Sequence, residues 1–227
     1  MRKRCSSGCA TMAKAGRPAN GVAQHPPEAW QPLTRDFFNR PPDIVAQALL
    51  GKLLVRPWSG EILAGRVVET EAYLGENDAA AHAASGKTPR NAVLFGPPGF
   101  AYVYRIYGLH NCLNVSCLPA GDAGCVLFRA LEPVLGVETM RRNRGLADTA
   151  PLPSISAGPG RLCSALQITR DPCNGLDMTA AGGPLVLMDD GYCCGPVARS
   201  VRVGIRKDAH LPLRFFLKQS GCVSTRR

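Results

Sequence analysis

Residues 61–73 read Glu61-Ile62-Leu63-Ala64-Gly65-Arg66-Val67-Val68-Glu69-Thr70-Glu71-Ala72-Tyr73. The stretch before it, Pro57-Trp58-Ser59-Gly60, carries a turn signal, so residues 52–56 and 61–70 are expected to pair as a β-hairpin. Side chains alternate along a strand; Glu69, Glu71 and Tyr73 should share one face and Thr70 and Ala72 the other. On the N-terminal side, Pro42 and Asp43 open a short helix through Leu50, with Ile44, Val45, Ala48 and Leu49 apolar and Gly51 as its stop. On the C-terminal side, Asn77 is placed to cap a short helix carrying Ala79, Ala80, Ala81 and His82. Gly96-Pro97-Pro98-Gly99 precedes an expected strand over 100–107, a tight turn at 108–111, a return strand over 112–118, and a further strand over 125–131. Helical patterns follow at 136–144 and 159–168, separated by a Pro/Ser/Gly-rich loop. Strands are expected at 184–188, 200–205 and 213–217. The sum is a mixed α/β chain: one domain, residues 30–227, around a curved, largely antiparallel sheet with surrounding helices and a protruding β-hairpin.

At 227 residues the chain suits one large core. No apolar run approaches the roughly 18–20 residues of a membrane span, and no apolar segment follows the N-terminal basic residues as in a secretory signal. The expected location is therefore cytoplasmic, with no membrane partner. The formal charge is +10. Arg2, Lys3, Arg4, Lys14 and Arg17 all precede the first acid, Glu28, and residues 1–29 lack hydrophobic periodicity; they read as a basic, mobile tail. The remainder keeps about six more cations than acids, which suits a polyanionic partner. Ten cysteines show no Cys-x-x-Cys pair, and Cys193 and Cys194 are adjacent. Cys112, Cys117 and Cys125 lie in strand-like apolar surroundings, so structural thiols are the reading, ahead of a metal site or disulfides.

Glu71 stands where the expected strand runs out, beside apolar residues and Tyr73. A carboxylate so placed can have a raised pKa and serve as a base near neutral pH, although a lone strand-end acid is more often simply solvated. The tyrosines bear on that choice. Of five in the chain, four are Tyr73, Tyr102, Tyr104 and Tyr107. Tyr107, beside the tight turn, is a poor core residue and suits stacking in a gap left by an extruded base. Tyr102 reads as ordinary sheet packing.

These runs together resemble one known family. The matching segments are Gly65 to Gly75 with its Val-Val-Glu-Thr-Glu-Ala-Tyr core, residues 78–82, Lys87-Thr88-Pro89-Arg90-Asn91, and Tyr102-Val103-Tyr104 with Ile106-Tyr107-Gly108. Asn114, residues 125–133, Glu138-Thr139-Met140-Arg141, residues 158–166 and Leu213-Arg214-Phe215 complete them. The pattern is similar to the alkyladenine (3-methyladenine) DNA glycosylases of mammals and many bacteria, from about Leu33 to the last strand. The resemblance implies a monofunctional DNA repair enzyme, acting as a monomer without cofactor or metal. It would bind the minor groove of duplex DNA holding damaged purines, flip an alkylated or deaminated purine, and leave an abasic site. By the same resemblance Glu71 activates the water and Arg129 helps hold it. Tyr73, His82 and Tyr104 form the aromatic base pocket, Asn114 crowds the exocyclic amine of normal guanine, and Leu127 packs near the pocket. Tyr107 fills the gap left by the base and Leu109 wedges into the groove. In a cell the enzyme would then work in the nucleoid or nucleus.

The hairpin tip, Leu109-His110-Asn111, departs from the bulkier mammalian pattern, and the connection over 117–124 is longer; neither touches Glu71, Tyr107 or Arg129. Three rival readings differ in chemistry: a non-catalytic nucleic-acid-binding module, a metal-dependent hydrolase using cysteines or His82, and a tRNA-binding domain like that of formyltransferases, which shares only the shape.

Overall fold

A computed structural model describes residues 24–224. Most of the basic tail expected over 1–29 lies outside the described residues. The β-branched run decides the architecture as the sequence suggests, but it is longer: β3 spans Glu61–Tyr73 and is the strand on which the sheet is organised. Its first half pairs with β2 (Leu53–Trp58) in an antiparallel hairpin, Trp58 opposite Glu61. From Ala64 onward its other edge pairs with β6 (Gly124–Leu135). Where β2 has ended, β9 (Arg214–Leu217) takes its place, with Glu69 opposite Phe216 and Glu71 opposite Arg214. The acidic segment is thus enclosed by β6 and β9, and both carboxylates are fully buried.

The sheet extends on one side through β7 (Val186–Asp189) to the two-residue β1 (Gln31–Pro32). On the other it continues from β6 to β5 (His110–Cys117) and β4 (Ala101–Ile106), while β8 (Val197–Ser200) pairs with β9. These nine strands form one sheet with antiparallel pairings throughout.

Helices cover the face bearing Thr70 and Ala72. They are α1 (Arg35–Phe38), α2 (Pro42–Ala48), α3 (Val137–Asn143), α4 (Leu152–Ser156), α5 (Pro159–Ala165) and α6 (Arg170–Cys173). Val45 and Ala46 of α2 and Leu162 and Cys163 of α5 join Val68, Val103, Leu113, Val126 and Phe128 in the main core. Each of the Val, Leu and Phe side chains among these contributes about 1.5–3 kcal/mol by leaving water. The Thr70 hydroxyl donates to the Ala46 carbonyl at 2.9 Å, so a polar group on this face is still satisfied.

Several expectations need correction. Residues 78–82 form turns instead of a helix capped by Asn77. Asp78 takes the local backbone donors itself, from Leu74 and Ala80, both at 3.1 Å, and breaks a helical register. The strand expected over 200–205 is displaced to Val197–Ser200, because Arg202 and Val203 turn their polar groups to Asp78 and Glu71 instead of a ladder. The Pro/Ser/Gly-rich loop contains α4. The turn expected at 108–111 is a three-residue loop at 107–109, since Ile106 and His110 already face each other. Tyr107 (φ 51°) and Gly108 (φ 69°) take the left-handed conformations such a loop requires.

Candidate active site

Register irregularities place the charged groups. Between β3 and β6, Glu69 faces Ala130 while Thr70 faces Phe128, which leaves Arg129 as an extra residue on β6. A β-bulge of this kind re-aims a side chain, and here the Arg129 guanidinium reaches back to both carboxylates of β3. Its Nε donates to Glu69 Oε1 at 2.9 Å and its Nη1 lies 3.2 Å from Glu71 Oε1. Glu69 also accepts from Arg214 Nε at 2.7 Å, from the Ser224 backbone N–H at 2.6 Å and from the Ser224 hydroxyl at 2.9 Å.

Glu71 is held less completely. Oε1 accepts the Val203 N–H at 2.7 Å and Oε2 accepts the Tyr73 hydroxyl at 3.1 Å. The two carboxyls respond to these settings in opposite directions. For Glu69, burial disfavours the charge, but the Ser224 N–H, Arg129 and Arg214 outweigh it and hold its pKa below the usual range. For Glu71, burial dominates and raises the pKa, although Arg129, Val203 and Tyr73 oppose it. A carboxyl moved toward neutral pH yet kept beside a guanidinium has the properties of a general base. The Arg129 pKa is raised: burial works against its charge, and Glu71 and Glu69 more than compensate.

Through Tyr73 the carboxylate adjoins a cavity of about 130 Å³ lined by Tyr73, Ala80, His82, Tyr102, Tyr104, Asn114, Cys125 and Ile205. The His82 ring packs edge-on to Tyr104 with centroids 4.4 Å apart, and its Nδ1 is 2.9 Å from the Tyr102 hydroxyl. Burial, then the nearby Arg90, lowers the His82 pKa, which favours a neutral imidazole. Asn114 Nδ2 donates to the Tyr102 carbonyl at 3.1 Å, which fixes the amide against the wall. Burial keeps the tyrosines neutral; Tyr102 is raised to about 12.

Of the residues singled out from the sequence, Tyr73, His82, Tyr104 and Asn114 therefore meet at one cavity, with Glu71 and Arg129 behind Tyr73. Leu127 lies directly opposite both Glu71 and Asn114 in the sheet but does not line the cavity. Tyr102, read as packing, is indeed buried, yet it also lines the cavity and holds His82.

Other contributors escaped the sequence reading. A buried Asp78–Arg202 pair, joined by two hydrogen bonds, anchors the segment that carries Val203 and Ile205. Arg202 also donates to the Ala72 carbonyl at 3.1 Å and stacks over the Tyr73 ring at 4.7 Å. No sequence signal marks a backbone N–H such as that of Val203. The loop into Asp78 is seated by Gly75 (φ 90°), where a Cβ would fall 1.7 Å from the Ala123 carbonyl oxygen.

Tyr107 and Leu109 stand at the tip of the β4–β5 hairpin, 91% and 79% exposed, instead of in the core. Beside them a second cavity of about 490 Å³ opens between residues 109–111 and α5, with Arg144 and Arg161 in its walls. Cys112, Cys117, Cys125, Cys163, Cys173 and Cys222 are buried free thiols, and Cys193 and Cys194 are exposed. Among the described residues no three His, Cys, Asp or Glu side chains gather as a metal ion would need, and no helix is long and apolar enough to cross a membrane.

The family profile described as methylpurine-DNA glycosylase (MPG) matches residues 36–221. A Koribacter versatilis protein provisionally named 3-methyladenine DNA glycosylase is 58% identical over 196 residues, covering 86% of this chain and 94% of its own. Proteins of the same provisional name from Methanocella arvoryzae and Rhodopseudomonas palustris are 47% and 46% identical. They cover 86% and 85% of this chain, and 96% and 87% of their own. The match spans β3, the hairpin, β6 and β9, and with them the carboxylate, the guanidinium and the aromatic cavity: the chain belongs to the methylpurine-DNA glycosylase family and is a DNA glycosylase.

Proposed function

We propose that this enzyme excises alkylated or deaminated purines from duplex DNA by a single hydrolytic displacement, with Glu71 as the base. The observation that carries the reading is the coupling of a buried, proton-hungry carboxyl to an aromatic cavity through the 3.1 Å contact between Tyr73 and Glu71. The hairpin enters the minor groove and Tyr107 fills the space vacated by the rotated nucleotide. The extruded purine stacks among Tyr73, His82 and Tyr104; an electron-poor, cationic alkylpurine gains most from electron-rich rings. Asn114, fixed by its own hydrogen bond, discriminates by clash against an exocyclic amine.

Glu71 then takes a proton from a water as that water bonds to the anomeric carbon. The carbon–nitrogen bond breaks and its electron pair leaves with the purine: a cationic alkylpurine departs neutral, and a neutral deaminated purine departs as an anion that takes a proton from water. The product is an abasic site and the free base, with no covalent enzyme intermediate, and the Glu71 charge also stabilises the oxocarbenium-like sugar. Arg129 keeps enough positive charge beside Glu71 for it to ionise at working pH. The cleft between the hairpin tip and α5, with Arg144 and Arg161, accepts a phosphodiester segment of the same duplex. The enzyme acts as a monomer.

The test is incubation of the purified protein with methylated duplex DNA in excess chelator. Release of free 3-methyladenine with formation of abasic sites is the expected result. Binding without release would leave a non-catalytic module; loss of release on chelation would indicate a metal-dependent hydrolase. Preference for RNA over damaged duplex would favour the tRNA-binding reading.

A further inference from the structure

We infer that Glu69 is a positioning residue that sets the ionisation of Glu71 by dividing two guanidinium groups between the carboxyls. The inference rests on Glu71 acting as the base. Glu69 is fully buried, lies two residues from Glu71 on the same strand face, and does not line the cavity. A buried carboxylate is costly unless it is paired and hydrogen-bonded, and this one accepts four hydrogen bonds. Two come from guanidinium Nε atoms on different strands, Arg129 on β6 and Arg214 on β9. The other two come from Ser224, whose hydroxyl also lies 3.4 Å from Arg129 Nη2.

The geometry assigns unequal shares. Arg129 directs its Nε to Glu69 at 2.9 Å and offers Glu71 only a longer 3.2 Å approach from Nη1. Arg214 sits opposite Glu71 in the ladder, but its Nε goes to Glu69 and its Nη1 to the Ser200 hydroxyl at 3.1 Å. Glu69 thus draws both cations toward itself and leaves Glu71 under-compensated, with burial free to keep its proton affinity high. Among the described residues, the remaining ionisable groups facing Glu71 are Tyr73 on its own strand, Cys112 on β5 and Arg202 beyond β8. Tyr73 and Cys112 are held neutral by burial, and Arg202 is committed to Asp78. Glu69 is therefore the negative charge that sets how much of Arg129 and Arg214 the base experiences.

Opposite charge changes at the two ends of this network should move the base in opposite directions. Glu69→Gln removes a repelling anion and releases Arg129 toward Glu71. The acidic limb of the single-turnover pH–rate profile should move down by about 1 pH unit, with a lower plateau because the base is weaker. Arg214→Gln removes a cation, leaves Glu69 to Arg129 and Ser224, and should move the limb up by a similar amount. The double variant Glu69→Gln/Arg214→Gln restores the charge balance and should return the limb toward that of the unaltered enzyme. A network that serves only to hold the fold would lower rates and melting temperatures without this opposed pair of shifts.

An unmoved limb in both single variants, or shifts of the same sign, would overturn the inference. Glu71→Gln, assayed alongside, separates this outcome from failure of the underlying reading. If Glu71→Gln releases base normally, Glu71 is not the base. If it is inactive while the two limbs stay still, only the role of Glu69 is lost.

Discussion

At Glu71 burial opposes ionisation while Arg129, the Val203 N–H and the Tyr73 hydroxyl favour it, and burial prevails. The folded protein holds this proton more tightly than the unfolded chain does. Its contribution to stability is therefore complete below the ordinary carboxyl value of 4.5 and is lost as pH rises through the raised value. Glu71→Gln stays neutral at every pH, so its melting temperature relative to the unaltered enzyme should climb between pH 4 and pH 8. A difference of about 1 kcal/mol corresponds to roughly 2–4 °C at this chain length. A variant that grows less stable with pH, in paired calorimetric scans, would contradict the balance described. The Glu-x-Glu spacing and the alternation rule placed Glu69 and Glu71 on one face from the sequence alone. What alternation cannot show is which of the two carries the compensating cations, because those arrive from β6 and β9, some 60 and 145 residues away in the chain.

Elements were legible where hydrophobic period and turn chemistry agree, as in the β2–β3 hairpin, α2, which stops at Ala48 just short of the expected end before Gly51, and the β4–β5 hairpin. They were misread where a polar side chain takes the backbone's partners. Asp78 dissolves the expected helix at 78–82, and Arg202 with Val203 ends the expected strand early. Both misreadings fall on the wall of the cavity, where local propensity gives way to the needs of the site. The β4–β5 hairpin carries a direct consequence. Tyr107 is almost wholly exposed at its tip, so Tyr107→Ala should leave the melting temperature nearly unchanged. Stacking in a vacated base position is worth about 1–3 kcal/mol, so affinity for duplex DNA with an abasic-site analogue should fall roughly 10- to 100-fold. Equal affinity in a titration would remove Tyr107 from the account.

Across the whole molecule, the antiparallel sheet, the single main core and the excess of cations follow from composition and periodicity. The larger cleft between the hairpin tip and α5 does not, since it depends on how a helix docks beside residues 109–111. If Arg144 and Arg161 there meet phosphates, replacing both with Ala should flatten the slope of log affinity against log salt by about 1–2 units. The base-release rate of saturated complexes should be unaffected, and an unchanged slope would place the DNA backbone elsewhere. The proposed chemistry turns, however, on the carboxylate enclosed by β6 and β9. Its most direct test is single-turnover release of 3-methyladenine from methylated duplex DNA by the unaltered enzyme and by Glu71→Gln, with binding to an abasic-site analogue measured in parallel. The expected result is binding retained and release abolished in the variant, whereas release at an unchanged rate would contradict Glu71 as the base.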